Sequence, residues 1–172
     1  MDWRFLTIIP VPFLLWLWLE LVRNEALPIP LPRDTIRKML RLAGASKNDT
    51  VYDLGSGDGR ALVIASREFQ ARAVGIEKNR LMVWLSRWII RKNELQNKIK
   101  VIHGDILKEN FKDADVILIY LSRKLTQKLK SRFEKLGDAR IVSASHPIMG
   151  WKERKKIKTG HFYSEFSFIL VI

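Results

Sequence analysis

Residues Val51 to Arg60 read Val-Tyr-Asp-Leu-Gly-Ser-Gly-Asp-Gly-Arg, an apolar run that ends in an acid and then meets three glycines at alternate positions. Alternate glycines permit positive φ and let the main chain approach a ligand closely. Ala61-Leu62-Val63-Ile64-Ala65 follows and opens a helix, whose first N–H groups have no partner within the helix. The unit is therefore strand, tight loop, helix. It constrains the fold to a βα crossover and predicts a nucleotide-like ligand over the loop.

The spacing narrows the ligand. A dinucleotide loop runs G-x-G-x-x-G, whereas this one runs G-x-G-x-G and has Arg60 where that pattern would continue. A phosphate-binding P-loop needs G-x-x-x-x-G-K followed by Ser or Thr, and no such pair follows these glycines. Asp53 at the strand end would repel a pyrophosphate but attract a ligand bearing ammonium and sulfonium charge. S-adenosylmethionine is such a ligand.

Asp53-Leu54-Gly55-Ser56-Gly57-Asp58-Gly59 resembles motif I of the class I S-adenosylmethionine-dependent methyltransferases, and later landmarks of that family follow in order from about Pro30 to Ile172. The resemblance implies that Asp53, Gly55, Ser56, Gly57 and Gly59 bind the cofactor. Ala73-Val74-Gly75-Ile76-Glu77 resembles the second strand, with Glu77 gripping the ribose hydroxyls 18 positions after Gly59. Val101-Ile102-His103-Gly104-Asp105-Ile106 resembles the third, which implies Asp105 on the adenine amino group and Ile106 against the ring. Asp115 to Leu121 resembles the fourth, whose end faces the transferred methyl. A Gly-rich turn alone would say little; acids at the ends of the next two strands set it apart.

With 172 residues the chain has room for one domain and a short appendage, and 47% apolar residues make the bulk globular. The absence of cysteine excludes disulfides and thiolate metal sites, and His103, His146 and His161 show no paired ligand spacing, so no metal is expected. The net charge of +13 attracts polyanions, nucleic acid or lipid headgroups alike.

Phe5 to Val22 is apolar apart from Glu20 and would span about 27 Å as a helix, with Trp3, Trp16 and Trp18 suited to an interface. Residues 1–25 are accordingly expected to form an N-terminal membrane-anchor helix. Arg23, Arg33, Arg37, Lys38 and Arg41 follow it and would place the catalytic domain on the cytoplasmic side. Residues 26–33, with Pro28, Pro30 and Pro32 at alternate positions, form an extended connector, and 34–172 form the methyltransferase domain.

Asp34 can cap a helix Thr35 to Leu42 that Gly44 closes. Strands at 50–54, 73–77, 99–103, 115–121 and 139–145 then alternate with helices at 60–68, 79–94 and 123–136. On the helix 79–94, the stripe Leu81, Trp84, Leu85, Trp88, Ile89 is expected to face the sheet. The fold class expected is a Rossmann-like α/β sheet, mostly parallel, completed by a C-terminal antiparallel hairpin from Trp151 to Ile172 hinged at Thr159-Gly160.

Beyond the fourth strand stands Tyr120-Leu121-Ser122-Arg123. Methyltransferases of bases and glutamine often carry (Asn/Asp)-Pro-Pro-(Tyr/Phe) there, so nucleobase acceptors are disfavoured. Pro30-Leu31-Pro32, the motif I decapeptide and Ile141 to Trp151 resemble the archaeal broad-specificity and mitochondrial membrane-anchored protein lysine methyltransferases. That resemblance implies a lysine acceptor on a protein, membrane proteins among the candidates. Tyr120 and Ser143 are the catalytic candidates, able to orient the amine without acting as strong bases, and His146 is the one titrating helper. The alternatives are a lipid or small-molecule acceptor, or a non-catalytic nucleic-acid-binding module with a vestigial site.

Overall fold

Short aliphatic runs bounded by glycine or charge become strands, and amphipathic runs between them become helices. The computed structural model describes residues 30–144 and 148–152. The strands are β1 Thr50–Leu54, β2 Arg72–Glu77, β3 Ile99–His103, β4 Val116–Ile119 and β5 Arg140–Ser143. The helices are α1 Arg33–Leu42, α2 Arg60–Glu68, α3 Arg80–Lys92 and α4 Arg123–Phe133. The strands form one sheet in the order β3-β2-β1-β4-β5, and every pairing is parallel.

A parallel sheet must be covered on both faces, which is why β4 is buried at all four positions. One face packs Val51, Ala73, Val101, Val116, Leu118 and Val142 under α1, α2 and α3. The other packs Tyr52, Leu54, Ile76, Ile117, Ile119 and Ile141 under α4 and the Ile106 to Ala114 loop. The order reverses between β1 and β4, and the carboxyl ends there open the crevice in which ligands of such sheets bind.

Several expectations are corrected. The sheet expected to be mostly parallel is wholly parallel in every pairing among the described residues, and residues 153–172 of the expected antiparallel hairpin fall outside them. The membrane-anchor helix is corrected too. No helix among the described residues is long and apolar enough to cross a membrane, the longest, α3, having 13 residues where about 20 are needed. The membrane-anchored placement with a cytoplasmic catalytic domain is therefore withdrawn. Phe5 to Val22 itself, like the rest of residues 1–29 and His146, lies outside the described residues.

Two local expectations also change. Asp34 does not cap α1; Pro32 stands at that position, and Asp34 sits in the first turn and accepts from Arg37 at 2.9 Å, while Arg37 also grips Glu68 of α2 at 2.8 Å. On α3 the core side is Val83, Ser86 and Ile90, not the stripe through Trp84 and Trp88, which are 67% and 45% exposed. The cause is close approach of helices. A Cβ placed on Gly59 would lie 3.0 Å from the Ser86 Cβ, so α3 must turn a small residue toward α2.

At the amino edge of the sheet, Arg140 donates to the carbonyls of Ala43 and Gly44 at 2.7 and 3.0 Å and pairs with Asp49. Asp49 is buried and also accepts from the Ser46 N–H and hydroxyl. One guanidinium thus joins β5, the end of α1 and the turn into β1. Arg140→Ala is expected to cost about 2 kcal/mol by leaving these groups short of a donor. Urea denaturation would show a lower midpoint at unchanged slope.

Candidate active site

All five strands deliver their carboxyl ends to one edge. Gly55, Gly57 and Gly59 take φ of +86°, +51° and +78°, where an L side chain is strained, and Gly59 stands at the N-cap of α2. The N–H groups of Gly55 and Ser56 donate to the Ile76 carbonyl at 2.8 and 3.2 Å, which pins the loop over β2. Glu77 holds it from the other side. Its Oε2 accepts from the Gly57 N–H at 2.9 Å and its Oε1 from the Asn79 N–H at 2.8 Å. Asn79 then caps α3 through the Leu81 and Met82 N–H groups.

Ser56 is buried with its Oγ turned inward over Gly75, and that hydroxyl finds no hydrogen-bond partner among the described residues. Its side chain packs the loop onto β2. The outer side of the loop is open: a Cβ on Gly57 would meet nothing within 4 Å.

Asp53 lies in β1 beside Gly75 of β2. Part of its side chain reaches solvent, yet burial, then the charges of Glu77 and Asp58, push its carboxyl from 3.8 up to about 7. Asp58 behaves oppositely. Burial would raise it, but hydrogen bonds from Arg60 at 2.7 to 3.2 Å outweigh that and hold it below the usual carboxylate range. Arg60 also donates to the Leu31 carbonyl at 3.4 Å, so the Pro-rich entry to α1 is tied to the loop. Three acids around one open loop make a negative mouth in a basic protein.

Asp105 follows β3, and its Oδ1 accepts from the Leu107 N–H at 2.9 Å; no hydrogen bond reaches Oδ2 among the described residues. Ile106 is buried within the core layer under α4, and its carbonyl accepts from Arg132. Ile119 of β4 pairs in register with both Leu54 of β1 and Ser143 of β5, so Tyr120 and Ser143 come to neighbouring strand ends. Tyr120 is 40% exposed; Ser143 is buried. Leu121 reaches back over the loop, its Cδ2 lying 3.1 Å from where a Gly55 Cβ would be.

Sequence reasoning brought Asp53, Gly55, Ser56, Gly57, Gly59, Glu77 and Asp105 to this edge. It missed the pairing of Asp58 with Arg60 and the hold of Glu77 on the loop backbone. A carboxylate two residues before an arginine in a turn was the available signal for the first. Nothing in the sequence announced the second.

The family described as the ANTKMT methyltransferase domain matches residues 53–155, which is more than half of the chain. The chain belongs to that family. It is an S-adenosylmethionine-dependent N-methyltransferase. It is 32% identical over 133 residues to a protein-lysine N-methyltransferase of Saccharolobus islandicus, covering 76% of this chain and 83% of that one. It is 30% identical over 122 residues to the Homo sapiens lysine N-methyltransferase for a subunit of ATP synthase, covering 69% of this chain and 49% of that one. The chain thus spans about half the length of the human relative. Among solved structures, an RNA methyltransferase from Salinibacter ruber bound to S-adenosyl-L-homocysteine is 31% identical with a TM-score of 0.74, covering 76% of this chain and 87% of that one.

The enzyme's residues fit the cofactor. The loop is open on its outer side, Glu77 can accept from hydroxyls, and Asp53 and Asp58 complement positive charge. When bound, S-adenosylmethionine supplies a methyl group made electrophilic by the sulfonium.

Two outcomes follow for binding. Gly75→Ala would place a Cβ 2.5 Å from the Ser56 Oγ and 2.7 Å from the Leu62 Cδ1, so the loop must move. Calorimetric titration with S-adenosylhomocysteine should show affinity lowered by about tenfold. The raised carboxyl of Asp53 means that the folded protein keeps a proton the unfolded chain has released. Its contribution to stability of the ligand-free protein is full below about pH 4 and lost by about pH 7, while binding of the cationic cofactor strengthens as Asp53 ionises near pH 7. Asp53→Asn should flatten both pH profiles, read by denaturation and by cofactor titration between pH 5 and 8.

Proposed function

We propose that the enzyme methylates lysine side chains of proteins. The observation that carries this reading is the exposed Tyr120 at the carboxyl end of β4, beside the cofactor loop, in the segment Tyr120-Leu121-Ser122-Arg123. That segment lacks the Pro-Pro tetrapeptide typical of enzymes acting on bases. Similarity to the archaeal protein-lysine N-methyltransferase over most of both chains supports it.

A lysine ammonium must lose its proton before its nitrogen can attack. Free lysine titrates near 10.4, and the reaction itself demands alignment of amine, methyl and sulfur in line. Tyr120, whose hydroxyl makes no hydrogen bond among the described residues, orients the amine by accepting from it. Ser143 is buried on the next strand end and acts by positioning this wall of the site. Asp53, Gly55, Ser56, Gly57, Gly59, Glu77, Asp105 and Ile106 hold the cofactor, Ser56 and Ile106 through packing.

An RNA acceptor is the second reading, favoured by the likeness to the Salinibacter ruber structure. Transfer of labelled methyl groups into cell extract treated with either protease or ribonuclease divides the two. Label that survives ribonuclease and appears as methyllysine on hydrolysis supports the proposal; label lost with ribonuclease overturns it. With a lysine peptide, kcat/KM should rise with pH toward about 10, since the substrate supplies its own free amine. Tyr120→Phe should lower kcat by about tenfold and leave cofactor affinity unchanged. An unchanged kcat would remove Tyr120 from the site.

A further inference from the structure

The helix that follows the acceptor side carries more positive charge than the described residues around it neutralise. From Arg123 to Lys135 the sequence places Arg123, Lys124, Lys128, Lys130, Arg132 and Lys135 against Glu134 alone. Two of these cations are engaged. Arg132 donates to the Ile106 and Glu109 carbonyls and lies over the Phe111 ring, and Lys130 donates to the Met149 carbonyl and pairs with Glu134 at 3.9 Å. The other four, Arg123, Lys124, Lys128 and Lys135, make no hydrogen bond or ion pair among the described residues.

Lys124 and Lys128 stand four apart and share one side of α4, and Lys135 stands exposed in the turn just past its C-cap. Leu129 and Phe133 face the core from the other side, which fixes the lysine row outward. It starts one turn after Tyr120, at the mouth where the acceptor must enter, and leads away from it. At the loop itself, Arg60 is spent on Asp58.

We propose that this row is the docking surface for an acidic segment of the acceptor protein, one that places carboxylates along α4 while its target lysine reaches Tyr120. The inference rests on the lysine reading and deepens it by naming the acceptor's chemistry. Charge complementarity selects an anionic partner. The row has one exposed aromatic at its start, Tyr120, and none along its length, so it offers no run of platforms for stacking successive bases, which single-stranded nucleic acid uses. The exposed tryptophans, Trp84 and Trp88, stand on α3, which covers the opposite face of the sheet.

Charge reversal with a matched control tests this. Lys124→Glu/Lys128→Glu/Lys135→Glu is compared with Lys38→Glu/Arg41→Glu/Lys47→Glu, which changes the net charge equally on and after α1. Two labelled lysine peptides of equal length are used, one flanked by Asp and Glu, the other by Ser and Gln. Initial rates give kcat and KM, and fluorescence anisotropy gives Kd without turnover. The α4 variant should raise KM and Kd for the acidic peptide by about tenfold, leaving kcat, cofactor affinity and the neutral peptide within about twofold. The α1 variant should change none of these by more than about twofold. Equal losses in both variants would overturn the proposal by showing a general field effect, as would a loss of single-stranded RNA binding in the α4 variant with peptide binding unchanged. If the wild type methylates neither peptide, the lysine reading fails on its own; the anisotropy titration still decides the docking surface by the same criteria.

Discussion

Glu77 accepts hydrogen bonds from the Gly57 and Asn79 N–H groups through its two oxygens, and the site is organised around that one carboxylate. Charge-assisted bonds of this kind are stronger than neutral ones and directional. One arm fixes the glycine loop beside β2; the other sets the residue that caps α3. The Ile76 carbonyl adds a second anchor immediately before it. The loop is therefore shaped before any ligand arrives, and the entropy of ordering it is met in folding, so it does not reduce affinity. A residue whose expected part was to meet ribose hydroxyls thus also shapes the glycine loop.

Packing constraints radiate from the same loop. Gly59 requires a small neighbour, Ser86, on α3; Gly75 leaves room for Ser56; Gly55 lies under Leu121 from β4. Each is a close approach between elements distant in sequence. Together they fix the acceptor side relative to the cofactor side, through contacts that a single methyl group would disturb.

The parallel sheet, its helices and the loop were legible because they rest on local signals: apolar runs, helical periodicity and glycine spacing. Strand Thr50–Leu54 and helix Arg60–Glu68 have the bounds expected of them. What the sequence hid depended on contacts made across the fold. The stripe through Trp84 and Trp88 has good helical periodicity, yet the demand of Gly59 for a small neighbour turned the helix so that Ser86 faces inward. Asp34 has the chemistry of a cap, but Arg37 draws it into an ion pair and Pro32 starts the helix. The apolar N-terminal stretch and the C-terminal segment carry patterns of their own and lie outside the described residues. In the site, Tyr120 and Ser143 were named from neighbouring strands; their different burial follows from side-chain direction, which a sequence pattern does not carry.

Electrostatics divides this protein into two regions of opposite sign. The chain as a whole carries +13, while the loop edge gathers Asp53, Asp58 and Glu77. Burial first, then the charges of Glu77 and Asp58, push the Asp53 carboxyl up so that it holds a proton near neutral pH. A cationic ligand relieves that repulsion, which gives the mouth a preference for cofactor over its neutral, demethylated product. The lysine acceptor meets the opposite problem. Its ammonium is repelled by the basic body and attracted by the acidic mouth, both chiefly within a Debye length of about 8 Å. An acceptor that carried only its lysine would meet this basic surface unfavourably. One that presents carboxylates to the lysines on and just after α4 is held there and then delivers its amine to Tyr120. The same asymmetry of charge thus retains one cationic ligand inside and selects among proteins outside.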